Sequence, residues 1–458
     1  MGDLHGSAGM SELMIKCSWE EDPGVAEPVL ARSWAQLSIM VDQEPVTRFL
    51  SLRSNSVRDA VYGAAYPLAA WVVDNWWFLL NEGARHLAVV RGARSVMRDD
   101  PSLRFWLRRH NLLAAREGYA LPDLSIFRDA SSSHVCWAAD PVDDFPRRGR
   151  FISAGAQRIP LEACRDALGE FVRTVLERLD PLDSEDVTRL RAQWLAVQEN
   201  DADDAEYSMC SGLASLGIHP FSPEAEDEAL RAALATLSRL ALPVQQDLLD
   251  ATSSEHLGED IKTVSQWLES SRDLEAGSGP WRSVPDVRDA RDRQAFEAGY
   301  LRARRVRDAV QIGPELPLDD LAEHIRRDFG AFAQVDVAPG GGTSRRIDAV
   351  VTHQPDAGER WLAGPPRSEL AARFRLGRAL HQWLFTAPSQ RLLTRSQSGW
   401  EQRASRAFAA ELLVPAASIR RELEAQEGDG SIGRIARKYR VDDAVVAWQI
   451  ENHSIEVT

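Results

Sequence analysis

Two stretches near the end of the chain decide how its last part folds: RFRLGRALHQWLF at 373–385 and ASRAFAAELLVP at 404–415. Apolar side chains recur in both at the spacing of one helical turn, at Leu376, Leu380, Leu384, Phe408, Leu412 and Leu413. Residues at this spacing lie on the same face of an α-helix. We therefore predict two amphipathic helices whose apolar faces belong to one core.

The two stretches resemble the ImmA/IrrE family of zinc metallopeptidase-like proteins. In that family a helix, a small sheet, an RFTLAHELGH-type helix, a helix with N-x-FAAELLMP and a small helical end module follow one another. The matching pieces here are RFRLGRALHQWL, RAFAAELLVP and SIGRIARKYRVDDAVVAWQIENH, in the same order. The resemblance covers residues 286–458 and implies a helix-rich, zincin-like domain with a small sheet and a helical C-terminal module.

The catalytic residues of the family do not carry over. Alignment on the shared Arg-Phe pair places Arg378 at the first zinc histidine, Ala379 at the glutamate and Gln382 at the second histidine. The HExxH chemistry needs two imidazoles one helical turn apart and a carboxylate that accepts a proton from the zinc-bound water. Arginine is permanently cationic, alanine accepts no proton and an amide is a poor ligand. We expect no catalytic residues, cofactor or metal at this degenerate site.

The third zinc ligand of the family is an acidic residue shortly before the FAAELL motif. Glu401 is the candidate here, although Ala404 stands nearer the expected place. If Glu401 faces the first helix, it pairs with Arg378; the alternative is a solvated glutamate, for which an ion pair contributes about 0 to 1 kcal/mol. We expect the Arg378 guanidinium to point into a groove and to meet Glu401 or a strand carbonyl. His381 with Glu401 and a residue from elsewhere would form the non-standard zinc site of an active enzyme.

With 458 residues the chain is too long for one hydrophobic core. We predict a multidomain α/β (α+β) fold. The three parts are a mixed α/β domain of unknown family at 14–180, an acidic helical region at 181–275 and the zincin-like domain at 286–458. A Gly- and Pro-rich segment at 275–285 is the predicted linker.

Local patterns predict the elements of these domains. We expect strands in VLARSWAQLSIMVDQEPV, SHVCWAAD and GRFISAGAQRIP, and helices in SVRDAVYGAAYPLAAWVVDNWWFLLNEG and LEACRDALGEFVRTVLERL. In the last part we expect helices at 287–312 and 318–329, strands at 332–338 and 346–353, and helices from there to the end. The three glycines at 340–342 lack the Lys-Ser/Thr of a phosphate-binding loop, so they predict a turn.

A tryptophan cluster at Trp71, Trp76 and Trp77, with Asp74 and Asn75, has two interpretations. It is either a platform for a ligand or partner, or part of a core whose two polar residues bond nearby backbone. Large apolar side chains at helical spacing are usually buried, which favours the core.

The charge balance argues against attraction of nucleic acid or anionic lipid over the whole surface, because 69 Asp+Glu outnumber 54 Lys+Arg. The segment 367–440 is different, with fourteen basic and seven acidic residues. Together with the end module, whose apolar rhythm resembles a helix-turn-helix with Arg440 at the turn, it suggests a nucleic-acid-binding scaffold as an alternative. Four separated cysteines, no secretory signal and no membrane-spanning stretch lead us to expect a cytoplasmic protein.

The function implied by the resemblance is regulation. The family couples sensing to cleavage of a repressor or similar partner, in stress response or phage defence. Because the catalytic residues are replaced, we expect a pseudoenzyme that binds a protein partner or a signal. The alternatives are an active zinc metalloendopeptidase with the non-standard ligands, cleaving a repressor-like partner, and the nucleic-acid-binding scaffold.

Overall fold

The computed structural model describes the chain except for residues 1–10, 85–102, 130–131, 143–148, 271–280, 288–289, 291–292, 314–315, 338–343, 355–358, 388, 396–398, 426–430 and 456–458. It divides into two compact units, Met1–Asp227 and Glu228–Thr458. Each unit combines helices with small sheets, which confirms the predicted mixed α/β class.

Small antiparallel sheets form one part of the first unit. Their strands are β1 (Leu13–Trp19), β2 (Trp34–Val41), β3 (Glu44–Pro45), β4 (Phe49–Ser51), β5 (Ser56–Arg58), β6 (Val61–Ala64), β7 (Asp123–Asp129), β8 (Ser132–Ala138), β9 (Gly149–Phe151) and β10 (Gly155–Pro160). The strand orders are β1-β2-β3 with β6 also on β2, β10-β8-β7, and β5-β4-β9. In β2 every second residue is buried, as the alternating pattern predicted.

Helices pack against these sheets and contribute most of the core of the first unit. They are α1 (Pro28–Arg32), α2 (Tyr66–Asp74), α3 (Trp76–Asn81), α4 (Arg104–His110), α5 (Leu161–Leu179), α6 (Glu185–Ala202) and α7 (Asp204–Ser215). Helix α5 has the predicted bounds. Its buried face recurs every three to four residues, at Cys164, Leu168, Phe171, Val172, Val175 and Leu179.

The long helix predicted to end at Gly83 is shorter and interrupted. Residues 61–64 do not join the helix but form β6, which pairs with β2. This pairing satisfies the backbone N–H and C=O groups that a helix would otherwise have satisfied. Pro67 lies in the first turn of α2, where its missing N–H leaves no bond unmade. The helix stops at Asn75, whose side-chain amide donates to the Trp71 carbonyl, and α3 begins at the next residue.

The second unit is built on one four-stranded sheet. Its strands are β11 (Ala333–Asp336), β12 (Ile347–Gln354), β13 (Glu359–Gly364) and β14 (Gln390–Thr394), in the order β11-β13-β12-β14. Strand β11 runs parallel to β13, and the other pairs are antiparallel. The centre of the sheet is buried on both faces, as Val350, Val351 and Leu362 show.

Ten described helices surround or extend this sheet. They are α8 (Glu228–Leu237), α9 (Leu242–Ala251), α10 (Leu257–Ser270), α11 (Ala295–Ala309), α12 (Leu321–Asp328), α13 (Glu369–Phe385), α14 (Trp400–Leu413), α15 (Ala416–Glu424), α16 (Ser431–Tyr439) and α17 (Asp443–Asn452). Among the residues described, every helix is too short or too polar to cross a bilayer.

The prediction that only helices follow residue 353 was wrong. Strands β13 and β14 flank β12 and bond to it along most of its length. Both are short, five or six residues, so neither contains enough alternation to identify it locally. Long-range pairing with β12 determines their conformation.

The unit boundary at residue 227 differs from the predicted three-part division. The predicted acidic region at 181–275 is shared between the two units. Helix α6 buries Val187, Leu190 and Trp194 in the core of the first unit, whereas α9 holds Asp247 against β14 in the second. Acidic composition describes the exposed faces of these helices, and their apolar faces decide where they belong. Most of the predicted linker, and the glycines at 340–342, lie outside the described residues.

The predicted core of the last part is confirmed. Leu376, Leu380, Phe408, Leu412 and Leu413 are all buried in one cluster, and Leu384 packs against that cluster. Helices α11 and α14 approach closely at Gly299. A Cβ at this position would lie only 2.4 Å from the Ala404 carbonyl oxygen, so the contact requires glycine.

We predict that Leu412→Ala lowers the free energy of unfolding by about 2 to 5 kcal/mol, because it removes a fully buried side chain and leaves a cavity. Leu242→Ala is the control, since Leu242 is 63% exposed in the same unit. Urea unfolding of both variants checks this. Equal stabilities of the two variants would contradict the placement of Leu412 in the core.

Candidate functional site

The middle of α13 carries the residues that the resemblance places at a zinc site. Ser368 caps the start of this helix by accepting from the Ala371 N–H. Almost every residue from Arg373 to Phe385 is buried, including the arginines. A helix surrounded by protein on nearly all sides must satisfy its polar side chains internally.

Arg378 lies fully inside the second unit. Its Nη1 donates to the Thr394 carbonyl on β14 at 3.1 Å. Its Nη2 donates to Gln402 Oε1 at 2.7 Å, and its Nε to Ser405 Oγ at 3.3 Å, both on α14. The predicted strand carbonyl is therefore confirmed as a partner. The predicted groove is closed, because neutral acceptors surround the guanidinium.

Gln402 connects Arg378 to the sheet. Besides accepting from Arg378, its Oε1 accepts from the Thr394 N–H at 3.1 Å. Its Nε2 donates to the Leu392 carbonyl at 2.7 Å and approaches Asp247 Oδ1 at 3.4 Å. One amide thus fixes the guanidinium, two backbone groups of β14 and a carboxylate in one network.

Asp247, on α9, anchors the other end of this network. It accepts two hydrogen bonds from Arg391, both 2.8 Å long, and one from the Leu392 N–H at 2.9 Å. Burial lowers the pKa of Arg391, but the charges of Asp247, Glu401 and Asp250 outweigh it and raise the pKa. This bidentate pair is the strong, geometrically specific kind.

Arg378 and Arg406 form a local concentration of positive charge. Arg406 donates to the same Thr394 carbonyl as Arg378. Burial, with the charge of Arg406, lowers the pKa of Arg378 to about 9. Burial also lowers the pKa of Arg406 to about 10. Both guanidinium groups are still cations at neutral pH, so they repel any further cation, such as a metal ion.

His381 lies on a different side of α13, against Arg302. Arg302 Nη1 is 3.0 Å from His381 Nε2, and because a guanidinium only donates, Nε2 accepts and the proton is on Nδ1. The other Arg302 nitrogens bind both oxygens of Asp286. Burial and the charges of Arg302 and Arg378 lower the pKa of His381 well below its usual range. The ring is neutral, and its Nε2 lone pair is already used.

Gln382 and Ala379 are the other two residues that the resemblance places at the zinc site. Gln382 is buried, yet neither its Oε1 nor its Nε2 has a hydrogen-bond partner among the described residues. Ala379 is fully buried and brings no polar group. Arg378 is therefore the member of the motif whose polar atoms join the Gln402 network.

Glu401 does not take the place that the Arg378 pairing required. Arg378 bonds to Gln402, the next residue of α14, and the charge of Glu401 acts on Arg391. In the described parts of the chain, no three His, Cys, Asp or Glu side chains lie close enough together to hold a metal ion. The non-standard zinc set that included His381 and Glu401 has no support in this geometry.

The predicted tryptophan cluster is part of a core. Trp71, Trp76 and Trp77 are buried in the core of the first unit. Asn75 bonds the local backbone, and Asp74 accepts from Gln193.

Arginines that suggested a nucleic-acid surface are partly interior. Arg373, Arg375 and Arg378 are buried in the second unit, and Arg373 donates to the carbonyls of Leu318 and Asp319. Their charge is therefore not displayed on a surface. The end module does form two helices, with Arg440 at φ +53° between them, the left-handed conformation that the turn position requires.

Sequence reasoning missed Asp247, Gln402, Arg302 and Asp286. Gln402 was adjacent to a candidate but carried no motif of its own. Asp247 is about 145 residues from its partners on β14, and no local pattern links them. Comparisons of the chain with protein-family models, curated proteins and solved structures give no match.

The same substitution should change the free energy of unfolding very differently at two buried glutamines. Gln402→Leu leaves Nη2 of the buried Arg378 guanidinium and two backbone groups of β14 without their partner, so we expect a loss of about 3 to 5 kcal/mol. Gln382→Leu removes an amide that makes no bond, so we expect a change within about 1 kcal/mol, or a gain. Denaturant unfolding measures both. A costly Gln382→Leu, or a neutral Gln402→Leu, would refute the assigned network.

The buried neutral His381 should make stability depend on pH. Below about pH 6.5 the unfolded chain protonates this histidine, whereas the folded chain does not, so stability falls with pH. From pH 7.5 to 5.5 we expect wild type to lose about 1.4 kcal/mol more than His381→Gln, whose amide also accepts from Arg302. Urea unfolding at both pH values tests this. His353 and His453 contribute equally to both proteins, so an identical pH dependence would exclude a depressed pKa at His381.

Proposed function

We propose that the second unit is a regulatory pseudopeptidase, an ImmA/IrrE-like domain that acts by binding a protein partner. The observation that carries this proposal is the position of Arg378. It stands where the resemblance puts the first zinc histidine, and it is buried among neutral acceptors on α14 and β14. The position on the helix is that of a zinc ligand in the family, but the residue there is a buried cation that cannot bind zinc.

The local chemistry supports loss of hydrolysis. A zinc-dependent peptidase needs an open metal position, a bound water and a carboxylate that accepts its proton. Here a cationic guanidinium occupies the position, and the residue after it is Ala379. The side chain one turn on, Gln382, is a neutral amide enclosed by the core. These residues stabilise a packed interior.

The edge of the sheet supports binding of an extended peptide. Within the described residues no strand pairs with the outer side of β11. The Val337 N–H donates to Gly364 on the inner side, so by the alternation of a strand the N–H groups of Gln334 and Asp336 face outward. A strand from a partner adds to such an edge through backbone hydrogen bonds.

A cavity of about 270 Å³ lies beside this edge. Gln334, Leu321, Ala372 and Leu376 line it, together with charged residues that include Glu369 and Arg373. Side chains of an added strand alternate between its two faces, so one of them would enter this cavity. Backbone hydrogen bonds along the edge of β11 would give the affinity for the peptide, and the cavity would select which side chain it accepts.

The proposal is tested first by its metal content. We expect no stoichiometric zinc in the purified chain, and no peptidase activity in the variant Arg378→His with Ala379→Glu and Gln382→His, because a third ligand and its supporting residues are still missing. Elemental analysis and a peptide-cleavage assay measure these. One zinc per wild-type chain after dialysis against a weak chelator would overturn the proposal.

A second experiment tests whether a protein partner binds at the edge of β11. A photo-crosslinking amino acid at position 334 should give one discrete adduct with another protein in cells. The same amino acid at Arg327, which is exposed on α12, should give none. If position 334 gives no adduct, or if both positions give the same products, β11 is not the docking edge.

A further inference from the structure

The first unit contains a second cavity that the proposed function does not use. It encloses about 140 Å³ and lies between α5 and α6. Three residues of α5 that line it, Arg165, Gly169 and Arg173, are four apart and so share one face, and Asp166 lines it beside them. Trp194 and Asp201 are two turns apart on the facing side of α6. The cavity therefore lies between two packed helix faces, and it is maintained as long as these helices stay packed together.

The floor of the cavity is aromatic. Trp76 and Trp194 meet edge to face with ring centroids 5.0 Å apart. Both are buried, and a Cβ on Gly169 would lie 3.6 Å from one indole and 3.7 Å from the other. The absence of a side chain at Gly169 is what leaves space above the two rings.

The wall of the cavity carries polar atoms without partners. Arg165 Nη1 and Asp201 Oδ2 are 3.6 Å apart, longer than a hydrogen bond. Among the described residues, neither Arg165 Nε nor Asp201 Oδ1 has a hydrogen-bond partner, and the same is true of the Trp76 indole N–H. Arg165 and Asp201 are each 21 to 24% exposed, so they can turn toward the cavity without movement of either helix.

We propose that this cavity binds a single-ring planar amide, such as a pyrimidine base or a nicotinamide group. An amide presents a carbonyl oxygen for the Arg165 N–H and an N–H for the Asp201 carboxylate, which satisfies both groups at once. The flat ring packs on the indole floor. The size agrees, because an engineered cavity of about 150 Å³ holds benzene.

The charge around the cavity favours a neutral ligand over an ion. Arg173 pairs with Glu170, and Arg165 lies near both Glu162 and Asp201, so neither sign dominates. Burial raises the pKa of Asp201, while the charge of Arg165 acts against this increase. A neutral group with one donor and one acceptor avoids placing a net charge beside these pairs.

The test is ligand-observed NMR and calorimetry on the full chain, with uracil and nicotinamide as separate probes. We expect at least one of them to bind, and the stronger one identifies the ring. For uracil, 1,3-dimethyluracil is the control, since it keeps the carbonyls and lacks the N–H groups. Binding by neither probe at several millimolar, or equal binding of uracil and its dimethyl form, would overturn the proposal.

Two variants locate the binding in the cavity. Gly169→Leu fills the space above the indoles and should abolish binding, whereas Gly258→Leu, at a position with open space around it, should not. Asp201→Asn should weaken binding at least tenfold, whereas Glu199→Gln on the exposed side of α6 should leave it unchanged. If Gly169→Leu fails to fold, the asparagine variant decides. Affinity unaffected by Asp201→Asn would exclude the site.

Discussion

A guanidinium taken out of water must find an acceptor for its N–H groups, and much of the second unit is arranged around this requirement at Arg378. Its acceptors come from a strand and a helix that follow it in the chain, so β14 and α14 must both be in place before the charge is satisfied. Gln402 then transfers the constraint to Asp247 on α9. Four separate segments are fixed by one buried cation.

The same principle explains how a chain rich in arginine can bury several of them. Arg307 donates to the carbonyls of Leu412, Gly313 and Leu316, and Arg302 is held by Asp286 and His381. The planar fork of arginine reaches several acceptors at fixed angles, which a lysine ammonium does not do in the same way. A positive balance in the sequence is therefore compatible with an interior role, and here it weakens the case for a nucleic-acid surface.

The two units offer different kinds of recognition. The second has a sheet edge and an adjoining cavity suited to a peptide, and its Arg378 is enclosed by packing. The first has a small aromatic-floored cavity between two helices, with polar atoms on its wall. The sheet edge belongs to the proposed peptide binding, and the small cavity to the proposed binding of a planar amide.

Local periodicity was enough to predict helices in the stretches 161–179, 373–385 and 404–415 and the core that the last two share, because burial of an apolar face needs only the spacing of residues along one helix. The sequence also predicted that Arg378 would need an acceptor, either Glu401 or a strand carbonyl, since a buried guanidinium requires one. The partner that it named on α14 was Glu401, whereas the observed partner is the next residue, Gln402. Adjacent helical residues point about 100° apart, so only the orientation of α14 in the folded unit decides which one faces Arg378.

Strands β13 and β14, the Asp247 anchor and the boundary at residue 227 were decided only by tertiary structure. Each depends on contacts between segments far apart in the chain, and the short strands carry no periodic signal strong enough to identify them. The sequence by itself thus determined which faces must be buried and which charge must be satisfied. The tertiary structure determined which distant groups meet those demands, because hydrogen-bond partners are selected by distance in space and not by separation along the chain.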